Sequence, residues 1–201
     1  YRTRLSWMRL NHSLADDEGP VAAATQAFMR WYFPRFLAKT FALARQDEYE
    51  ADRIAGKLLG REVTAAALAE IEIRGAWLQA EFWGRHWCVA AGNPLPVGPY
   101  RSMRRYLAEA PDATFANDAL LQALKRLSSV DDTHPGLRDR IEALDATPTL
   151  PAWSRGSALA LLGGGARQWV KYFDKQWCSN NATEWKQHHA WLERVRARAE
   201  V

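Results

Sequence analysis

Four carboxylates crowd one short stretch, Gln46-Asp47-Glu48-Tyr49-Glu50-Ala51-Asp52-Arg53, inside a strongly helical segment. Glu48 and Asp52 are four residues apart, so on a helix they lie only about 40° apart around the axis and share one face. One such carboxylate could bind a cation while the other steadies a neighbouring ligand. The same spacing suits a solvated acidic face paired with Arg45 and Arg53, and spacing alone does not choose between them.

The five histidines are His12, His86, His134, His188 and His189, and no two of them form an HExxH pair. His188 and His189 are adjacent, so on a helix they point about 100° apart and are expected at the surface, not on a metal. His86-Trp87-Cys88 follows Trp77, Phe82 and Trp83 at helical spacing and reads as helix packing. The two cysteines, Cys88 and Cys178, form no CxxC pair, and two buried free thiols are expected. Gly163-Gly164-Gly165 is followed by Arg167-Gln168 where a phosphate loop needs Lys-Ser/Thr, so a helix hinge is expected there.

Positioning these residues falls to helices. Long segments rich in Ala, Leu, Arg and Glu have 3.6-type spacing and are separated by Pro or Gly clusters. The expected fold class is mainly α, with helices over 20–33, 35–59, 64–91, 99–109, 115–128, 135–144, 155–179 and 183–200. Gly60 suits a helix stop and Thr64 a cap for the next helix. The run Gly92 to Pro99 cannot continue a helix, and Asp145 to Pro151 forms a second break. This divides the chain into residues 1–145 and a C-terminal helical pair, 146–201, that carries Trp153, Trp169, Trp177, Trp185 and Trp191. A composition of 48% hydrophobic and 25% charged residues excludes wholesale disorder. No apolar run approaches the ~20 residues of a membrane span. The formal charge of +4 is a modest excess that establishes no nucleic-acid partner.

The acidic stretch, continued as Glu48-Tyr49-Glu50-Ala51-Asp52, resembles the ExxAD element of the gluzincin family that includes the heat-shock protease HtpX, the mitochondrial protease Oma and the CAAX prenyl protease. Downstream, Thr133-His134-Pro135-Gly136-Leu137-Arg138-Asp139-Arg140-Ile141-Glu142-Ala143-Leu144 resembles the family's THP-x-L-x-x-R-I-x-x-L element, in the right order. Thr133 suits a cap and Pro135 a first helical turn, which would hold His134 just before a helix. The resemblance extends over Ala67 to Trp87 and Phe173 to Trp177, and so over most of the chain.

The resemblance implies the helical part of a zincin-like metallopeptidase domain in which Glu48 is the third zinc ligand. Asp52 would support a zinc-bound histidine, and His134 would line the cleft and donate to the oxyanion. In such a site the HExxH glutamate takes a proton from zinc-bound water, which then attacks the peptide carbonyl. The departure is the missing HExxH, which the family places upstream of ExxAD. The chain therefore reads as a piece of a longer zinc metalloendopeptidase, inactive alone, with zinc in the parent and protein or peptide as substrate. The full-length protein is expected to be bacterial and membrane-associated and to bind no nucleic acid. The alternatives are a non-enzymatic helical interaction domain and a membrane-surface module; for the latter, Arg30 to Phe36 offer an interfacial belt.

Overall fold

The computed structural model describes Ser6, Arg9 and residues 19–128, 134–153 and 158–199. His12 and Thr133 lie outside the described residues. The fold is mainly α, and no strand occurs among the described residues. The helices are α1 (Pro20–Leu59), α2 (Arg61–Trp77), α3 (Trp83–Cys88), α4 (Tyr100–Tyr106), α5 (Ala113–Lys125), α6 (Leu137–Ala143), α7 (Ala166–Asn180) and α8 (Ala182–Ala199). A π turn, Leu78–Phe82, joins α2 to α3, and 3-10 turns occupy Val89–Gly92 and Ala158–Gly165. They gather into two compact units, one of Tyr1–Ala65 with Leu124–Thr147 and one of Ala66–Ala123 with Pro148–Val201.

In the first unit α1 continues for 40 residues and contains Pro34 where a break is expected. Proline removes one amide donor and crowds the carbonyl four residues back. Pro34 and Arg30 are both exposed, so the missing hydrogen bond falls on the solvent side of the helix, where it is best tolerated. Gly60 ends α1 as expected, at a φ of 100° that favours glycine, and its amide donates to the Gly56 carbonyl at 3.0 Å. Thr64 does not cap α2. It lies one turn inside, and its hydroxyl donates back to the Gly60 carbonyl at 3.0 Å.

The C-terminal half of α1 packs on α6, with Phe41, Leu137, Ile141 and Leu144 buried. Each such side chain contributes about 1.5–3 kcal/mol of burial. Gly56 allows the close approach, because a Cβ there would sit 3.0 Å from Leu144 Cδ2. Arg45 reaches across to Asp139 at 2.9 Å. Asp145, at a φ of 53° that Asp tolerates better than most residues, turns the chain out of α6 where the second break is expected.

The second unit is organised by aromatic rings. Trp185 of α8 is fully buried and donates from Nε1 to the Asn93 carbonyl at 2.8 Å, which ties the helix to the non-helical run after Gly92. His86 is buried among Phe82, Trp83, Trp177 and Trp185, so its reading as helix packing matches its position. His188 and His189 are not free surface residues. His189 bonds the Ala90 carbonyl through Nδ1 at 2.6 Å, and His188 packs between Trp87 and Trp191, because α8 lies along Val89–Gly92. Cys88 is exposed instead of buried, whereas Cys178 is half-buried and donates to the Pro96 carbonyl at 3.3 Å.

Candidate functional site

The site lies in the first unit, where the acidic turn of α1 meets the residues leading into α6. Its floor is built before its chemistry. The Gly136 amide donates to Ser128 Oγ at 2.6 Å, and that hydroxyl donates to Asp139 Oδ2 at 2.6 Å. A Cβ on Gly136 would sit 3.1 Å from the Arg126 carbonyl oxygen and 3.2 Å from Ser128 Oγ, so any side chain there would have to push these neighbours aside. Pro135 and Gly136 are buried and stand before the first turn of α6, so Pro135 lies two positions ahead of the first helical residue, Leu137, and not within the turn expected for it. His134, just ahead of them, is left 70% exposed.

His134 Nδ1 lies 2.8 Å from Glu48 Oε1, although the two residues are 86 positions apart. An ionised carboxylate only accepts, so Nδ1 carries the shared proton and Nε2 is left for another partner. Glu48 Oε2 faces Arg140 at 3.2 Å, and Arg140 also donates from Nε and Nη2 to the two oxygens of Asp52, at 2.7 and 2.6 Å. The Asp52 side chain is only 7% exposed, so its charge is compensated in place by a planar, two-pronged donor. Glu48 and Asp52 therefore share a face, as their spacing requires, and that face turns toward α6. Neither pairs with Arg45 or Arg53: Arg45 binds Asp139, and Arg53 binds Glu50 beside it.

Arg140 is the residue whose importance the sequence conceals. In the sequence it is the arginine of the second motif with no role attached to it, yet it holds both carboxylates. A buried carboxylate requires a cation, and Arg140 is the basic residue of the second motif that faces the same way as His134.

Glu48 fits the carboxylate position of a zinc site. Each oxygen has one neighbour and retains acceptor capacity, since a carboxylate offers about four lone-pair positions. The surrounding side chains do not complete such a site. Zinc takes four ligands, no HExxH occurs in the sequence, and among the described residues no group of three or more His, Cys, Asp or Glu comes together.

The family model described as Peptidase family M48 matches residues 7–148, which is more than two thirds of the chain and includes all of Glu48, Asp52, His134 and Arg140. No curated protein and no solved structure matches the chain.

Proposed function

Because the chain belongs to peptidase family M48, we propose that it supplies the carboxylate zinc ligand, Glu48, and one wall of the active-site cleft of a zinc-dependent metalloendopeptidase like HtpX, Oma and the CAAX prenyl protease. The two zinc-binding imidazoles and the general base come from an HExxH segment outside these residues. The observation that carries the reading is the cluster itself. Two sequence elements 86 positions apart bring Glu48 and His134 within 2.8 Å, with Arg140 joining Glu48 to Asp52.

Within that reading each side chain has a distinct task. Glu48 is held by two donors and presents its oxygens in a fixed orientation. Asp52 fixes Arg140 and, through its remaining lone pairs, steadies a zinc-bound imidazole. As the imidazolium, in which both ring nitrogens donate, His134 would give Nδ1–H to Glu48 and Nε2–H to the oxygen of a peptide carbonyl, where a donor stabilises developing negative charge. Protein or peptide is the substrate, and the chain of 201 residues has no proteolytic activity by itself. Membrane association of the full-length protein belongs to the same reading; no helix among the described residues is long and apolar enough to cross a membrane.

The test is Glu48→Gln in a protein that also contains the HExxH segment. Zinc measured by mass spectrometry should fall to background while helicity is retained. Stoichiometric zinc in that variant would remove Glu48 from the ligand set.

A further inference from the structure

Leading out of the region matched by the family, the chain from Ala146 to Phe173 contains no Asp or Glu, although it includes Arg155, Arg167 and Lys171. Part of this stretch is conspicuously apolar. The 3-10 segment Ala158–Gly165 has the sequence Ala-Leu-Ala-Leu-Leu-Gly-Gly-Gly, with Leu161 89% and Leu162 52% exposed. Gly163, at φ 53° and ψ −139°, breaks the helical path so that the segment turns into α7.

The first turns of α7 extend the patch. Trp169, Tyr172 and Phe173 are spaced i, i+3, i+4, lie against one another with ring centroids 5.4–6.0 Å apart, and are each about half exposed. The 3-10 segment packs against α7, and Gly165 stands one turn before Trp169, where a Cβ would be in ordinary van der Waals contact with the ring. Lys171 and Lys175 lie one turn apart beside the aromatic face and are both exposed.

We infer that Leu161, Leu162 and the Trp169–Tyr172–Phe173 face form a docking surface for an anionic lipid bilayer. Exposed leucines next to half-exposed Trp and Tyr suit the boundary between acyl chains and headgroups, where an aromatic ring buries its body and keeps its polar edge wet. The adjacent lysines place ammonium groups at headgroup height on long apolar stems. The one acidic residue among them, Asp174 between Phe173 and Lys175, is half-buried and accepts the Tyr100 amide at 2.8 Å, so the exposed charges beside the aromatic face are the lysines. The surface lies outside residues 7–148, so the inference stands whether or not Glu48 binds zinc.

The experiment is co-sedimentation of the 201-residue chain with vesicles of phosphatidylcholine alone and of equal parts phosphatidylcholine and phosphatidylglycerol, at low and high salt. Binding should require phosphatidylglycerol and weaken with salt. The double variant Leu161→Asp/Leu162→Asp should bind at least roughly tenfold more weakly, as expected when two leucines no longer enter the apolar layer. Lys171→Glu/Lys175→Glu should abolish the preference for the anionic lipid. Leu127→Asp, at a leucine 80% exposed elsewhere, should bind as the parent does. Circular dichroism confirms folding of each variant, and the leucine sites are chosen because neither is buried. Three results would overturn the inference. One is no binding to the anionic vesicles. Another is binding that Leu161→Asp/Leu162→Asp leaves intact but Trp31→Asp on α1 removes. The third is a concentration-dependent dimer dispersed by the leucine variants, which would assign the patch to a second copy of the chain.

Discussion

Asp52 and Arg140 form a two-pronged ion pair between helices, across 88 positions of sequence, with donor to acceptor distances of 2.6 and 2.7 Å. The aspartate is nearly enclosed, so removing the guanidinium would leave a charge without compensation. Removing one partner of such a pair costs about 3 kcal/mol or more. Asp52→Ala and Arg140→Ala should each lower the unfolding free energy, read from urea titration, by an amount of that order. The double variant should cost clearly less than the two singles together, since the second deletion relieves the charge left by the first. Strictly additive losses would show that the pair contributes no coupling.

In the second unit, Gly98 faces Asp174 so closely that a Cβ at position 98 would overlap the aspartate's own Cβ and Cγ. Asp174 cannot swing aside freely, because its Oδ1 accepts the Tyr100 amide at 2.8 Å. Gly98→Ala should therefore destabilise by about 1–3 kcal/mol, the usual scale of overpacking. Combining it with Asp174→Gly should recover part of that loss. A neutral Gly98→Ala, read by thermal unfolding, would contradict this close packing.

His134 tests the division between structure and chemistry. Its side chain is 70% exposed, so its contact with Glu48 resembles a surface ion pair, and His134→Ala should change stability by no more than about 1 kcal/mol. In the protein that includes the HExxH segment, the same variant should retain zinc and lose kcat by roughly a hundredfold, the scale of one oxyanion donor, with little change in KM. Full kcat with normal zinc would remove His134 from the proposed chemistry.

The helical character of the chain and its principal stops are legible in the sequence because they rest on local causes. Gly60 adopts the backbone angle that glycine favours, and the prolines after Gly92 cannot supply helix donors. Pro34 misleads, because whether a proline breaks a helix depends on what surrounds the freed carbonyl, and that is a tertiary property. The site shows the same contrast. Spacing puts Glu48 and Asp52 on one face, but it cannot show that this face meets Arg140 instead of Arg45 and Arg53. That choice depends on α6 packing where Gly56 admits Leu144. The positions of His188 and His189 are also illegible, since their contacts come from Ala90, Trp87 and Trp191, and the first two of these lie about 100 residues away along the chain.

A buried histidine makes the stability of the second unit depend on pH. His86 lies among Phe82, Trp83, Trp177 and Trp185, and its Nε2 has no hydrogen-bond partner among the described residues. Burial in this aromatic surrounding pushes its pKa below the ordinary value, opposed in part by a hydrogen bond to the Val97 backbone and by the nearby charge of Asp174. In the unfolded chain the same imidazole titrates near about 6.5. Over the interval between the unfolded and folded values, the unfolded state binds more protons, so stability rises with pH there. The contribution is complete above about 6.5 and is lost progressively as pH falls through and below that value. Urea midpoints measured between neutral pH and about pH 5 should therefore decline more steeply for the parent than for His86→Phe, which fills a similar volume and cannot take a proton. The variant should lose little stability at neutral pH, because it also removes an unsatisfied buried nitrogen. Parallel pH profiles for the two proteins would show that another group carries the acid sensitivity.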